Sequence, residues 1–223
     1  VISYLEKRMT QRATDWDQYY DRPAPTAHLT RRYTAYWLQT MMRRHVAAPS
    51  QLSVIEFGGG NSCFFKGLVA ALPIARYEIV DLNAKSLGLF EQQAEDVPAV
   101  RAAAHRADLL KEAPMLEPAD IVFSVGLIEH FSPEGTREVV RRHFPCVKPG
   151  GIVIITAPTP TWLYRVVRGA AEAIGVWAFP DERPLQPSEI IGAGEGLGSV
   201  RHSATLWPQV LTQHAVVWQA QSR

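Results

Sequence analysis

The chain has 223 residues, with 23 Lys and Arg against 22 Asp and Glu and a formal net charge of +1. That length holds one well-filled core and is short for two, and 47% hydrophobic with 20% charged residues is a globular balance that excludes a disordered chain. The near-zero charge removes any global case for a nucleic-acid partner, so the pairs Arg31-Arg32, Arg43-Arg44 and Arg141-Arg142 read as solvated helix faces.

Residues 1–50 read as helices with a break at Pro23 and Pro25. Tyr33, Trp37 and Met41, flanked by Leu38 and Met42, recur at helical spacing, a stripe that packs on the main domain, and Pro49-Ser50 closes the section. These residues are expected to form a helical cap on a domain spanning 51–223. From Leu52 the pattern alternates. Leu52–Phe57 is a buried strand that stops at Gly58-Gly59-Gly60, and Asn61–Leu72 fits a helix stopped by Pro73. A strand over Arg76–Asp81 precedes a helix over Ala84–Glu95. A weak strand over Val100–Arg106 and a strong one over Asp120–Val125 follow. Ser132 is a good N-cap, with Pro133 in the first turn, for a helix to about Phe144. Pro149-Gly150-Gly151 leads into a fifth strand over Gly151–Ala157. Residues 158–184 form a long aromatic connection, with a helix over Trp162–Ile174, and suggest a lid. After a short helix over Pro187–Gly194, Ser199–Leu206 and Gln213–Gln219 read as strands whose short loop closes an antiparallel pair. Strands alternating with helices imply a parallel sheet covered on both faces.

Two cysteines, Cys63 and Cys146, are too few for a disulfide framework, and no Cys/His cluster has zinc spacing, so no metal is expected. Residues 1–20 carry charges throughout and do not read as a signal peptide, and no apolar run reaches ~18 residues. The expected setting is cytoplasmic, with no membrane span.

The chemistry gathers after the strands. Glycines at 58, 59 and 60 let the backbone turn sharply and approach a ligand, and the next helix N-terminus offers free amides. A dinucleotide fingerprint would need glycine at 63, where Cys63 stands. Asp81 ends the second strand roughly 20 residues after Gly58, where a carboxylate can accept two ribose hydroxyls. It can equally cap the next turn. Asp108 follows the third strand in the same way.

Asp120 through Glu129-His130 and Val147-Lys148-Pro149-Gly150-Gly151 complete an ordered set. Together with Glu56 and the glycine turn, it resembles the class I S-adenosylmethionine-dependent methyltransferases over roughly residues 50–160. One position departs, with Ser62 where the family's glycine loop has its last glycine. The resemblance implies a Rossmann-like, doubly wound, mostly parallel seven-stranded sheet with an antiparallel C-terminal strand and N-terminal helices. It implies S-adenosylmethionine as methyl donor and S-adenosylhomocysteine as product. By the same resemblance Glu56, Gly58 and Gly60 line the methionine part. Asp81 takes the ribose, with Leu82 against the adenine, Asp108 and Leu109 hold the adenine edge, and the Val125 backbone faces the methionine amine. Tyr19 or Tyr20 is the aromatic over the cofactor, with Tyr20 taken forward.

His130 is the candidate base because its charge changes near neutral pH, with Glu129 and the tyrosines as others. The reading in which the Glu129-His130 pair only anchors its loop is preferred. Trp162, Tyr164, Trp177 and Phe179 in the long connection suggest a pocket for a small organic acceptor, although the helix there could instead meet lipid or a partner. The acceptor atom and the assembly state, a homodimer among the options, stay open. So do two other readings: a non-catalytic S-adenosylmethionine-binding partner subunit, and a nicotinamide-dependent oxidoreductase.

Overall fold

The computed structural model describes residues 13–21, 27–46, 51–206 and 212–221. The breaks expected at Pro23, Pro25 and Pro49-Ser50 lie outside them. Two N-terminal helices, α1 (Trp16–Asp21) and α2 (Ala27–His45), precede the sheet. The strands are β1 (Leu52–Phe57), β2 (Ile74–Asp81), β3 (Arg101–Arg106), β4 (Ala119–Val125), β5 (Val147–Pro158), β6 (Gly198–Leu206) and β7 (Gln213–Ala220). Between them run α3 (Phe65–Ala71), α4 (Ala84–Glu95), α5 (Pro133–His143), α6 (Trp162–Ala173) and α7 (Pro187–Ala193).

The seven strands lie in the order β3-β2-β1-β4-β5-β7-β6. All pairings are parallel except those of β7, which runs antiparallel to both β5 and β6. The expected sheet is therefore present. β1 is buried at every position, as a central parallel strand covered on both faces must be. One core packs Trp37, Leu38, Met41 and Met42 of α2 with Phe65, Tyr77, Phe90 and Phe123. The other holds Ile55, Phe57, Val122, Val153 and Trp218. Chain order reverses at β1 and β4, so the crevice beyond their carboxyl ends is where an open α/β sheet takes its ligand.

Two elements differ from expectation by more than two residues, and both differences serve the turns. α3 starts at Phe65 rather than Asn61 because residues 61–64 complete the glycine turn, with Ser62 at φ 48°. β5 starts at Val147 rather than Gly151. Its early residues pair across a register shift on β4, where a Cβ at Gly151 would lie 2.7 Å from the Asp120 carbonyl oxygen.

Candidate active site

The glycine turn is built for close approach. Gly58 and Gly60 have φ of 65° and 56°, a left-handed backbone that glycine adopts without cost. A Cβ at Gly58 would lie 2.5 Å from a Leu127 methyl, and one at Gly60 would lie 1.7 Å from the Tyr20 hydroxyl. Ser62 also takes a positive φ, and its side chain offsets the strain. Its hydroxyl donates to Glu56 Oε2 and accepts from the Phe65 amide at 3.2 Å. That bonding explains serine at the family's last glycine position.

Glu56 is buried beneath the turn, where Oε2 also accepts from the Tyr77 hydroxyl at 2.5 Å. Burial pushes its carboxyl up to about 7, against the opposing pull of the Ser62 and Tyr77 bonds. Asp81, at the tip of β2, accepts from the Gly60 amide at 2.9 Å and the Asn83 amide at 2.8 Å. It thus ties the turn to the second strand, and burial raises its pKa in spite of those amides. Leu82 beside it is 56% exposed, an apolar side chain left facing outward at the cleft's rim.

The third-strand residues divide. Asp108 accepts from the Leu110 amide at 3.0 Å and pairs with Lys111 at 2.9 Å, and the Lys111 bond is the main cause of its lowered pKa. The Leu109 side chain turns into the core with Ile55, Phe57 and Val80, which leaves only its backbone for a ligand. Val125 ends β4, and Gly126 follows at φ 69°.

Helix α1 lies across this edge. Asp17 accepts from Asn83 Nδ2 at 2.7 Å, and Asp21 pairs with Lys85 at 2.7 Å, which ties the helix to the start of α4. At its other end the Thr14 amide and hydroxyl both donate to Asp181, the amide at 3.1 Å. Tyr20 is held over Gly60, where burial first and Asp81 second push its hydroxyl pKa upward, so it stays a neutral donor.

Beyond the turn, His130 Nδ1 meets Asp181 Oδ1 at 3.0 Å. Burial lowers the imidazole pKa, but the Asp181 bond and the charges of Glu129, Asp181 and Glu182 outweigh it and raise the value overall. Burial tends to raise Asp181, yet its bonds to His130 and Thr14 hold it down at about 2. Rings pack against the imidazole: Trp16 lies 5.0 Å and Phe179 6.0 Å from His130. Of the four aromatics expected to line an acceptor pocket, Trp177 meets both Tyr164 and Phe179 at 6.2 Å. Tyr164 is buried with its hydroxyl donating to Glu182, and the Arg168 guanidinium lies 5.4 Å from the Trp177 ring. Trp162 stands 71% exposed and shares no ring contact with this group among the described residues. Thr14, Trp16, Asp181 and Glu182 were not foreseen. An acidic pair in a long loop reads as solvated, and nothing in its spacing points back to His130.

Residues 55–153 match the family model described as a methyltransferase domain. The chain carries a methyltransferase domain. No curated protein sequence matches it. Among solved structures, the magnesium protoporphyrin IX methyltransferase of Synechocystis PCC 6803, with bound SAH, is similar at 16% identity and a TM-score of 0.66, over 88% of this chain and 84% of that one. The N-methyltransferase NodS of Bradyrhizobium japonicum WM9, in complex with S-adenosylhomocysteine, is similar at 12% identity and a TM-score of 0.64, over 96% and 97%. A SAM-dependent methyltransferase from Methanosarcina mazei is similar at 12% identity and a TM-score of 0.65, over 82% and 98%. At these identities the likeness establishes the fold. The methyltransferase domain thus takes the place of the nicotinamide-dependent oxidoreductase reading. Among the described residues no helix is long and apolar enough to cross a membrane.

Proposed function

We propose that the chain transfers a methyl group from S-adenosylmethionine to a small organic acceptor. The observation that carries this is the cradle of Gly58, Gly60 and Asp81 under Tyr20. Its backbone is open to close approach, its carboxylate ends β2, and a hydroxyl hangs above it. The residues fit the cofactor. Asp81 would accept the ribose hydroxyls, the exposed Leu82 would cover the adenine, and the Leu109 backbone would meet its edge. The amides of the glycine turn and the Tyr20 hydroxyl would hold the methionine part. Bound there, S-adenosylmethionine supplies a methyl group made electrophilic by its sulfonium.

In-line displacement depends on alignment and on exclusion of water, and helix α1 does both. Its ties to Asn83, Lys85 and Asp181 hold it across the crevice. His130 serves here as a positioning residue. Its raised pKa and its bond to Asp181 make it a charged anchor for the α1 latch rather than a base.

Calorimetry with S-adenosylhomocysteine tests the reading. Asp81→Ala removes two charge-assisted bonds of about 1.5–3 kcal/mol each, so affinity falls at least about tenfold. Equal affinity in a folded Asp81→Ala variant refutes the site, and no binding to the wild type refutes the function.

A further inference from the structure

Glu129 lies in the short 3-10 turn Ile128–His130 just past β4. Its side chain is 2% exposed, and its Oε2 has no hydrogen-bond partner among the described residues. Buried polar atoms are almost always paired, and an orphaned carboxylate oxygen is costly. The carboxylate faces the end of β4, with Oε1 3.4 Å from where a Cβ on Gly126 would sit. Gly126 follows β4 at its carboxyl end, so the carboxylate lies at the edge where an open α/β sheet takes its ligand.

The surroundings add negative charge. Asp181 and Glu182 act on Glu129 from the segment after β5. Two cations oppose these three carboxylates. His130 is bonded to Asp181, and the Arg168 guanidinium is already shared among Glu172, the Tyr164 hydroxyl and the Glu182 carbonyl. The walls are aromatic, with Trp16 and Phe179 6.0 Å apart and Trp177 6.2 Å from Phe179. An acidic oxygen without a partner beside ring faces suits an organic cation.

We propose that the methyl acceptor is an amine, bound as its ammonium with an N–H donated to Glu129 Oε2, so that the chain is an N-methyltransferase. This rests on the methyl-transfer reading above and adds the acceptor atom to it. The ammonium passes one proton to Glu129 Oε2. The freed nitrogen lone pair then bonds the methyl carbon while the C–S bond breaks and its electrons stay on sulfur. Positive charge moves from sulfur to nitrogen, and the proton on Glu129 leaves to water with the product. Burial, against the opposing pull of His130, pushes the Glu129 carboxyl up to about 8, a basicity suited to taking a proton from an amine.

The donor's own sulfonium is a competing cation, and binding measurements separate the two. Wild type and Glu129→Gln are titrated with S-adenosylmethionine and with S-adenosylhomocysteine. The S-adenosylhomocysteine-saturated proteins are then titrated with benzylammonium chloride and with benzyl alcohol, its neutral counterpart. The wild type is expected to favour the ammonium by about tenfold or more. Glu129→Gln is expected to lose that preference while keeping both nucleoside affinities within about threefold. The absence of an ammonium preference in the wild type overturns the proposal, and this arm needs no variant. A preference that survives in Glu129→Gln also overturns it. So does a selective loss of S-adenosylmethionine over S-adenosylhomocysteine, which assigns the carboxylate to the sulfonium. Failure of S-adenosylhomocysteine to bind the wild type sinks the methyl-transfer reading instead.

Discussion

Replacing Glu129 with glutamine should stabilise the ligand-free protein, and the gain should grow with pH. Burial raises the folded-state carboxyl from its ordinary 4.5 to about 8. A carboxyl raised in this way contributes its stability in full below the unfolded value. That contribution is lost as pH climbs through the folded one, because the native state must then bury an ionised oxygen without a partner. At about 1.4 kcal/mol for each pH unit crossed, the ceiling on the loss is about 4–5 kcal/mol by pH 8. Glutamine has nearly the same shape and does not ionise, so the variant escapes the loss. Urea unfolding of both proteins at several values between about pH 5 and pH 8 measures the gap. It should be small at the acidic end and exceed about 1 kcal/mol at the other. A gap that stays flat within about 0.5 kcal/mol would refute the claim that an unpaired carboxyl is buried there.

Gly60→Ala should both destabilise the fold and weaken S-adenosylhomocysteine binding, because the residue sits at φ 56° and the new Cβ would lie 1.7 Å from the Tyr20 hydroxyl. The expected loss is about 1–3 kcal/mol in urea unfolding, and unchanged stability would mean that α1 yields freely. His130→Asn should keep residues 16–21 protected from hydrogen exchange, since the amide still bonds Asp181, whereas His130→Ala should release them. Equal protection in the wild type and in His130→Ala would show that His130 does not anchor the Asp181–Thr14 latch.

What was legible in the sequence is what depends on neighbours along the chain. Leu52–Phe57 reads as a strand because it is apolar on both faces, and α5 reads as a helix because Ser132 caps it, accepting from the Gly135 amide at 3.1 Å. The antiparallel β7 followed from a loop too short for a crossover. The cluster around His130 was not legible. Its parts come from Thr14, Trp16, Glu129, Phe179, Asp181 and Glu182, which meet only when α1 and the segment after β5 fold over the same edge. Trp162 shows the converse error. A large aromatic in a long connection suggested a pocket, but α6 turns this one outward while Tyr164, two residues on, points in. Neighbouring positions on a helix face different ways, and the apolar pattern of α6 did not reveal which way the core lay.

The two edges of the sheet treat their carboxylates in opposite ways, and the contrast locates the ligand. At the amino end of β4, Asp120 accepts from the Ser53 amide at 2.8 Å, the Ser53 hydroxyl at 2.6 Å and Lys148 at 3.0 Å. Burial tends to raise its pKa, but these partners prevail and lower it. At the carboxyl end, Glu56 and Glu129 are both pushed up, to about 7 and about 8. The first is held by two hydroxyls, whereas the second has an oxygen with no partner. A chain selected only for stability would have paired Glu129 as it paired Asp120, since a lysine or an amide would suffice. Proteins hold unsatisfied groups where a ligand completes them. The same edge carries the positive-φ turn and the ring cluster around His130, so the unpaired oxygen, the open backbone and the aromatic rings answer to one occupant rather than to three separate accidents of packing.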